Sequence, residues 1–222
     1  MQTRGAVPSS VATSIGRSAS LPRSTSDTRK HPLHDPIKRT LDLSLASLLL
    51  VGLAPVLVVA CAAIWCTTGD SPFYRQRRVG RYGVEFTMLK LRTMRREPSV
   101  VPPQLGTKEP DDVRITPVGR LLRRTSIDEL PQLLNVLKGQ MSLVGPRPNL
   151  PEEVSAYAPS WRRRLSVKPG LSGLWQVSGR SEVGIRRWMA MDLYYVRHRS
   201  LLLDLSILAR TVGAVVSMRG AW

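Results

Sequence analysis

Between Leu43 and Cys66 the chain carries 24 consecutive residues without a charge, LSLASLLLVGLAPVLVVACAAIWC. A stretch that long can cross a bilayer as one helix. Two features point elsewhere. Pro55 stands at its middle, where a missing N–H and a ring clash kink or break a helix. Basic residues flank it on both sides, Lys38 and Arg39 before it and Arg75, Arg77, Arg78 and Arg81 after it. Cytoplasmic flanks carry the excess of Lys and Arg, so both ends are expected on the cytoplasmic side. As helix, the halves 43–54 and 55–66 are each roughly 18 Å long, a little over half the hydrocarbon thickness. A helix–break–helix that enters and returns fits this pattern best. A single transmembrane helix is the alternative. An export signal with VVAC as its cleavage site is a third, disfavoured by the length of chain before it. Lys38 and Asp42, four apart, are expected to face each other on a helix and pair at the interface. Asp42, costly in hydrocarbon, is expected to mark the membrane surface.

Elsewhere the pattern is that of a folded domain. Residues 1–35 are Ser-rich with no apolar period and read as a disordered tail. PFYRQRRVGRYGVEFTMLKLRTM predicts a hairpin or short strands turning at Gly80 and Gly83. Residues 97–112 read as a loop and 117–124 as a short basic helix. Residues 129–138 read as a second helix, with Leu130, Leu133, Leu134 and Leu137 on one face and Gly139 as its stop. VKPGLSGLWQVSGR reads as a Gly/Ser loop, and 185–197 and 201–217 as two further helices, the last apolar enough to lie on a membrane. The resulting divisions are 1–35, 36–68 and 69–222.

Charge narrows the choice of partner. Lys and Arg number 33 against 16 Asp and Glu, a formal net charge of +17, which calls for an anion: phosphorylated small molecules, an anionic membrane face or nucleic acid. No recognition motif or aromatic stacking platform supports nucleic acid. Cys61 and Cys66 form no disulfide framework, and His31, His34 and His198 have no zinc-ligand spacing.

The densest chemistry lies at Arg120-Leu-Leu-Arg-Arg-Thr-Ser-Ile-Asp-Glu-Leu-Pro131, where Asp128 and Glu129 adjoin three arginines. Its bland reading is a helix start: Ser126 and Glu129 fit a capping box. Pro131 favours Asp128 as the cap instead, which would put Asp128 at a helix N-terminus, an end that also attracts phosphate. A carboxylate, a helix N-terminus and several Arg make a phosphoryl-transfer site equally well. Pro146 and Pro148 bracket Arg147 and hold its backbone extended. Lys90 and Arg92, two apart on a predicted strand, point to one face; for each of these cations a solvated surface is the alternative.

The stretches KRTLDLSLASLLL, PFYRQRRVGRYGVEFTMLKLRTM, ITPVGRLLRRTSIDELPQLLNVLKGQMSLVGPRP and KPGLSGLWQVSGR together resemble the bacterial sugar transferase family, small monotopic phosphoglycosyl transferases of the minimal, exopolysaccharide-initiating type. The resemblance runs from Lys38 to the end of the chain. It implies transfer of a sugar-1-phosphate from a UDP-sugar to undecaprenyl phosphate, with release of UMP, at the cytoplasmic face of the bacterial inner membrane. It implies Asp128 as the nucleophile of a covalent phosphosugar intermediate. Glu129 would be the base for the incoming polyprenyl phosphate, with Mg²⁺ close to Asp128, and Arg123, Arg147 and Lys90 would lie around the phosphates. The implied fold is α/β and mostly helical: a re-entrant membrane helix, a small cytoplasmic catalytic domain and surface amphipathic helices. Inner-membrane anionic lipids are expected partners, and a homodimer is left open. Gln176, Arg180 and Arg187 are candidates for contacts to nucleotide or sugar. Two positions depart from the family's pattern: Ala54 precedes the proline where Ser is frequent, and Gln140 stands where an acid is frequent. A non-enzymatic, membrane-anchored basic protein and a sugar transferase releasing UDP are the competing readings.

Overall fold

A computed structural model describes residues 34–95, 112–179 and 184–217. Residues 1–33 of the predicted tail, the 97–112 loop apart from Asp112, and Arg180 lie outside them. The chain enters on α1 (His34–Gly52), which takes in two residues assigned to the tail, and breaks at Leu53. It continues in α2 (Ala54–Thr68) at a bend of 58°. Pro55, in the first turn of α2, has no N–H to give to the preceding turn, and the axis bends there. No single helix among the described residues is long and apolar enough to cross a membrane. Gly69 closes α2 in the left-handed conformation, φ 68°, its N–H donating to the Trp65 carbonyl at 2.8 Å.

The base of α1 is bolted to the rest of the chain, and this overturns the expected Lys38–Asp42 pair. The Lys38 ammonium donates instead to Asp204 at 2.8 Å. Asp42 is 5% exposed and accepts from the Leu143 N–H at 3.0 Å, so it marks a buried junction and not a surface. A buried backbone donor needs such a partner, and that need outweighs an exposed side-chain pair. Arg39 donates to the carbonyls of Val136 and Leu137 at 2.7 and 3.0 Å.

β1 (Phe73–Val79) and β2 (Glu85–Leu91) form the expected antiparallel hairpin, Phe73 opposite Leu91 and Val79 opposite Glu85. On β2 the alternation places Lys90 on the same face as the buried Phe86 and Met88. α3 (Pro117–Arg124) is capped by Thr116, whose hydroxyl accepts from the Gly119 N–H at 2.9 Å. The predicted helix over 129–138 is divided into a 3-10 turn (Ile127–Glu129) and α4 (Gln132–Leu137), with Pro131 at the joint. Asn135 of α4 works as a strand partner for β2: its amide donates to the Thr87 carbonyl at 2.7 Å and accepts from the Leu89 N–H at 3.1 Å.

Two strands went unread in the sequence. β3 (Ser142–Val144) pairs in parallel with β4 (Gly170–Ser172), and β4 lies within the predicted Gly/Ser loop. Three residues each, they are too short to show a period. α5 (Pro151–Ser155) lies between them, and α6 (Ile185–His198) and α7 (Leu201–Val216) follow close to their predicted ranges. One core joins Ala46 of α1, Phe86 and Met88, Leu133 and Val136, β3, Tyr195 and Ile207; a second joins Ala60 and Ile64 of α2 with Leu91 and Leu122.

Gly170 sits where a Cβ would lie 2.1 Å from the Gly145 nitrogen. Gly170→Ala is therefore expected to cost about 3 kcal/mol or more through backbone displacement. Gly213→Ala, with open space around it in α7, should stabilise by roughly 0.5–1 kcal/mol. Thermal melts of the detergent-solubilised variants check both.

Candidate active site

Asp128 and Glu129 lie on the 3-10 turn, entered through Ser126 at φ 57°, ψ 16°. A serine held in the left-handed region marks a backbone constrained by its surroundings. Neither capping expectation holds: Ser126 makes no side-chain cap, and α4 begins only at Gln132, after Pro131. The turn is too tight and the proline too close for Asp128 to cap α4. What the turn does is aim two adjacent carboxylates at different surroundings.

Glu129 is clamped. Its Oε1 accepts from Lys90 Nζ at 2.7 Å and from Arg147 Nη2 at 2.9 Å. Burial alone would push its pKa up, but the two cations hold it well below the usual carboxylate range. Asp128 is 9% exposed, and its carboxylate takes part in none of the side-chain hydrogen bonds among the described residues. Burial, with the charge of Glu129 added, pushes it up to about 6 against the pull of Lys90, Arg123 and Arg147. One carboxylate is thus ionised and engaged, and its neighbour is unengaged. Arg123 is the third expected cation. Its Nε donates to Thr93 Oγ1 at 2.9 Å; burial pushes its pKa down and Asp128 pulls it back up.

Lys90, Arg123, Arg147, Asp128 and Glu129 therefore meet in one place. Arg92 does not join them; its Nε bonds the Ser71 carbonyl. Arg187 is exposed on α6, and the Gln176 amide donates to the Leu171 carbonyl at 3.2 Å. Lys38, Arg39 and Asp42 act at the foot of α1, away from the carboxylates, and Pro55 at its break.

The sequence did not reveal what holds Arg147. Arg164, 2% exposed, donates from Nη2 to the Arg147 carbonyl at 2.8 Å and from Nη1 to Asn149 Oδ1 at 2.8 Å. It also bonds Tyr157 Oη, and pairs with the buried Asp192 through Nε at 3.0 Å and through Nη2. From the other side Arg78 Nη1 donates to the Pro148 carbonyl at 3.1 Å; burial and the nearby Arg147 push Arg78 down to about 10. Arg164 sits in WRRRL and Arg78 in RQRR, runs that look like solvated surface. The one signal for Arg164 was Asp192, a lone acid inside the apolar stripe of α6.

The bacterial sugar transferase pattern matches residues 33–218. The chain belongs to this family. It is 38% identical over 226 residues to the exopolysaccharide production protein ExoY of Rhizobium meliloti, covering 94% of this chain and 99% of that one. It is 40% identical over 224 residues to a UDP-glucose:undecaprenyl-phosphate glucose-1-phosphate transferase of Caulobacter vibrioides, 97% of this chain and 80% of that one. An undecaprenyl-phosphate galactose phosphotransferase of Salmonella typhimurium is 38% identical over 199 residues, 84% of this chain but 42% of that protein. With these relatives the sugar transferase is an enzyme of the phosphoglycosyl transferase class.

Two outcomes follow from the sugar transferase's buried charges. Asp128 holds its proton more tightly folded than unfolded, so stability falls as pH rises from about 4 through about 6. Asp128→Asn removes that loss: its melting temperature should exceed the wild type's at pH 7.5, with the excess vanishing near pH 4. Arg164→Met strands the Asp192 carboxylate and should cost about 3–5 kcal/mol in denaturant unfolding; adding Asp192→Leu should recover part of it.

Proposed function

We propose that this sugar transferase moves a sugar-1-phosphate from a UDP-sugar to undecaprenyl phosphate in two displacements on Asp128. The observation that carries the reading is the clamp: Lys90 and Arg147 hold Glu129 ionised, while Asp128 beside it is unbonded. In the first displacement an Asp128 oxygen bonds the sugar-bearing phosphorus, the bond from that phosphorus to the bridging oxygen breaks, and UMP leaves with the electron pair. In the second an oxygen of undecaprenyl phosphate bonds the same phosphorus and Asp128 departs as carboxylate. The product is the sugar linked to the lipid through a diphosphate. Splitting the transfer in two lets donor and acceptor use one small site in turn.

The cations explain how a carboxylate approaches a pyrophosphate that repels it. Lys90, Arg123 and Arg147 neutralise phosphate oxygens, and the flat fork of Arg147 suits two of them at once. In the resting site Lys90 and Arg147 are occupied by Glu129. A bound pyrophosphate competes for both, and as they turn to it the Glu129 carboxylate loses the charges that keep it ionised. Its proton affinity rises as the lipid phosphate arrives, which suits it to act as the base.

A magnesium ion fits the residues present. Among the described residues no three His, Cys, Asp or Glu side chains converge, but Mg²⁺ is commonly held by one or two carboxylates together with water and substrate phosphates. Asp128, with no hydrogen bond to give up, would be its protein ligand. When bound it would supply further neutralisation of the pyrophosphate.

The bent α1–α2 pair is proposed as a re-entrant membrane element. Basic residues flank it on both sides, as cytoplasmic ends require, and Val51, Val58, Val59 and Trp65 are exposed apolar side chains along it. This sets the catalytic residues at the cytoplasmic surface of the inner membrane, where a long-chain lipid phosphate is met.

The test is nucleotide release from membrane-embedded protein with Mg²⁺, undecaprenyl phosphate and one UDP-sugar at a time. The expected outcome is UMP formed in proportion to lipid product and lost with EDTA. In Asp128→Asn the rate should fall by about 10³-fold or more. Release of UDP in place of UMP would overturn the reading.

A further inference from the structure

Between α1 and α7 the protein encloses an open groove of about 290 Å³. Leu45 and Leu48 of α1 form one wall, Leu205 and Leu208 of α7 the other, and Leu143 and Val144 of β3 the floor. Apolar side chains separated by such a gap forfeit mutual contact and would close together unless braced. The braces are polar and sit at the inner end. Asp204 of α7 accepts from Lys38 of α1 at 2.8 Å and from the Tyr195 hydroxyl at 2.7 Å. Tyr195 also lies 3.2 Å from the Val144 carbonyl, and Asp42 accepts from the Leu143 N–H at 3.0 Å. Four elements are thereby fixed at set distances, and the apolar space between them is held open. Its rim carries Leu48 and Leu205, 69% and 55% exposed.

We infer that this groove holds the isoprenoid chain of the acceptor lipid while the lipid's phosphate lies at Arg147; the inference rests on the acceptor proposed above. The link is β3. Its last residue, Val144, lines the groove, and three residues later Arg147 reaches Glu129 at 2.9 Å. Three residues span at most about 10 Å. The groove and the catalytic cations are therefore within the length of one molecule that has an anionic head and a long hydrocarbon chain. The first two isoprene units bridge that span, and burying the units beyond them in the groove fixes the otherwise mobile phosphate relative to Asp128.

Ser44 and Leu205 line the groove and are exposed, so a larger side chain at either fills it without disturbing the core. Ser44→Trp and Leu205→Trp are compared with wild type in nanodiscs, using undecaprenyl phosphate and the short geranyl phosphate as acceptors. The UMP burst without acceptor is the measure of donor chemistry. Expected are a KM for undecaprenyl phosphate raised about tenfold, a KM for geranyl phosphate raised much less, and an unchanged burst. Equal shifts for both acceptors, or none for either, would overturn the inference. So would a KM shift that followed the nanodisc phospholipid instead of acceptor chain length, which would assign the groove to bulk lipid. A wild type that makes no UMP at all sinks the underlying reaction, and is told apart from these by the missing burst.

Discussion

The guanidinium of Arg164 is removed from water and given acceptors on Asp192, Asn149, Tyr157 and the backbone of Arg147. A cation at that depth is tolerated only when nearly every donor is met. Meeting them dictates where the Pro146-Arg147-Pro148 segment runs, since one acceptor is its own carbonyl. The prolines keep the segment extended, Arg78 holds its far side, and Arg147 is left with one direction, toward Glu129. Glu129 is thereby occupied, and Asp128, its neighbour on a tight turn, is left without a partner. The Asp128 carboxylate is thus set apart by a chain of constraints that starts two contacts away.

The same logic governs how α1 is joined to the chain around the carboxylate cluster. Arg39 adds its charge to the last carbonyls of α4, where the Val136 carbonyl also accepts from the Gly139 N–H at 2.9 Å. Asp42 satisfies the first donor of the interior of β3. Two points between Asp128 and Arg147, the end of α4 and the middle of β3, are therefore referenced to one helix. The position of α1 relative to the chain between Asp128 and Arg147 is set by direct bonds.

Elements with a long period or strong punctuation were legible in the sequence. The break at Pro55, the hairpin, α3 with Pro117 at its first turn, and α6 and α7 all fall close to where pattern placed them. The cluster of Lys90, Arg123, Arg147, Asp128 and Glu129 was also nameable in advance, because carboxylates beside arginines and a proline-bracketed arginine are local signals. What was illegible is long-range. β3 and β4 exist because Gly145 and Gly170 let two backbones touch, and no alternation over three residues announces that. Asn135 looks like an ordinary polar residue of a helix until β2 supplies the edge it completes. The Lys38–Asp42 pair failed for a related reason: helix spacing says which residues are near, whereas the buried donors of β3 and the acceptor of α7 decide which pairs form.

Lys38 and its partner Asp204 are 166 residues apart, and that separation has a consequence in time. At synthesis rates of about 5–20 residues per second, α1 emerges roughly 10–30 s before the helix that completes its pairing. Over that interval the nascent chain presents an apolar helix pair with an uncommitted ammonium at its foot, and Asp42 waits about 100 residues for Leu143. The apolar α1–α2 pair therefore precedes the helix whose Asp204 completes the bond to Lys38. A chain stopped short of Asp204 keeps Asp128 and Arg147 in its sequence but lacks the wall that braces α1 against β3.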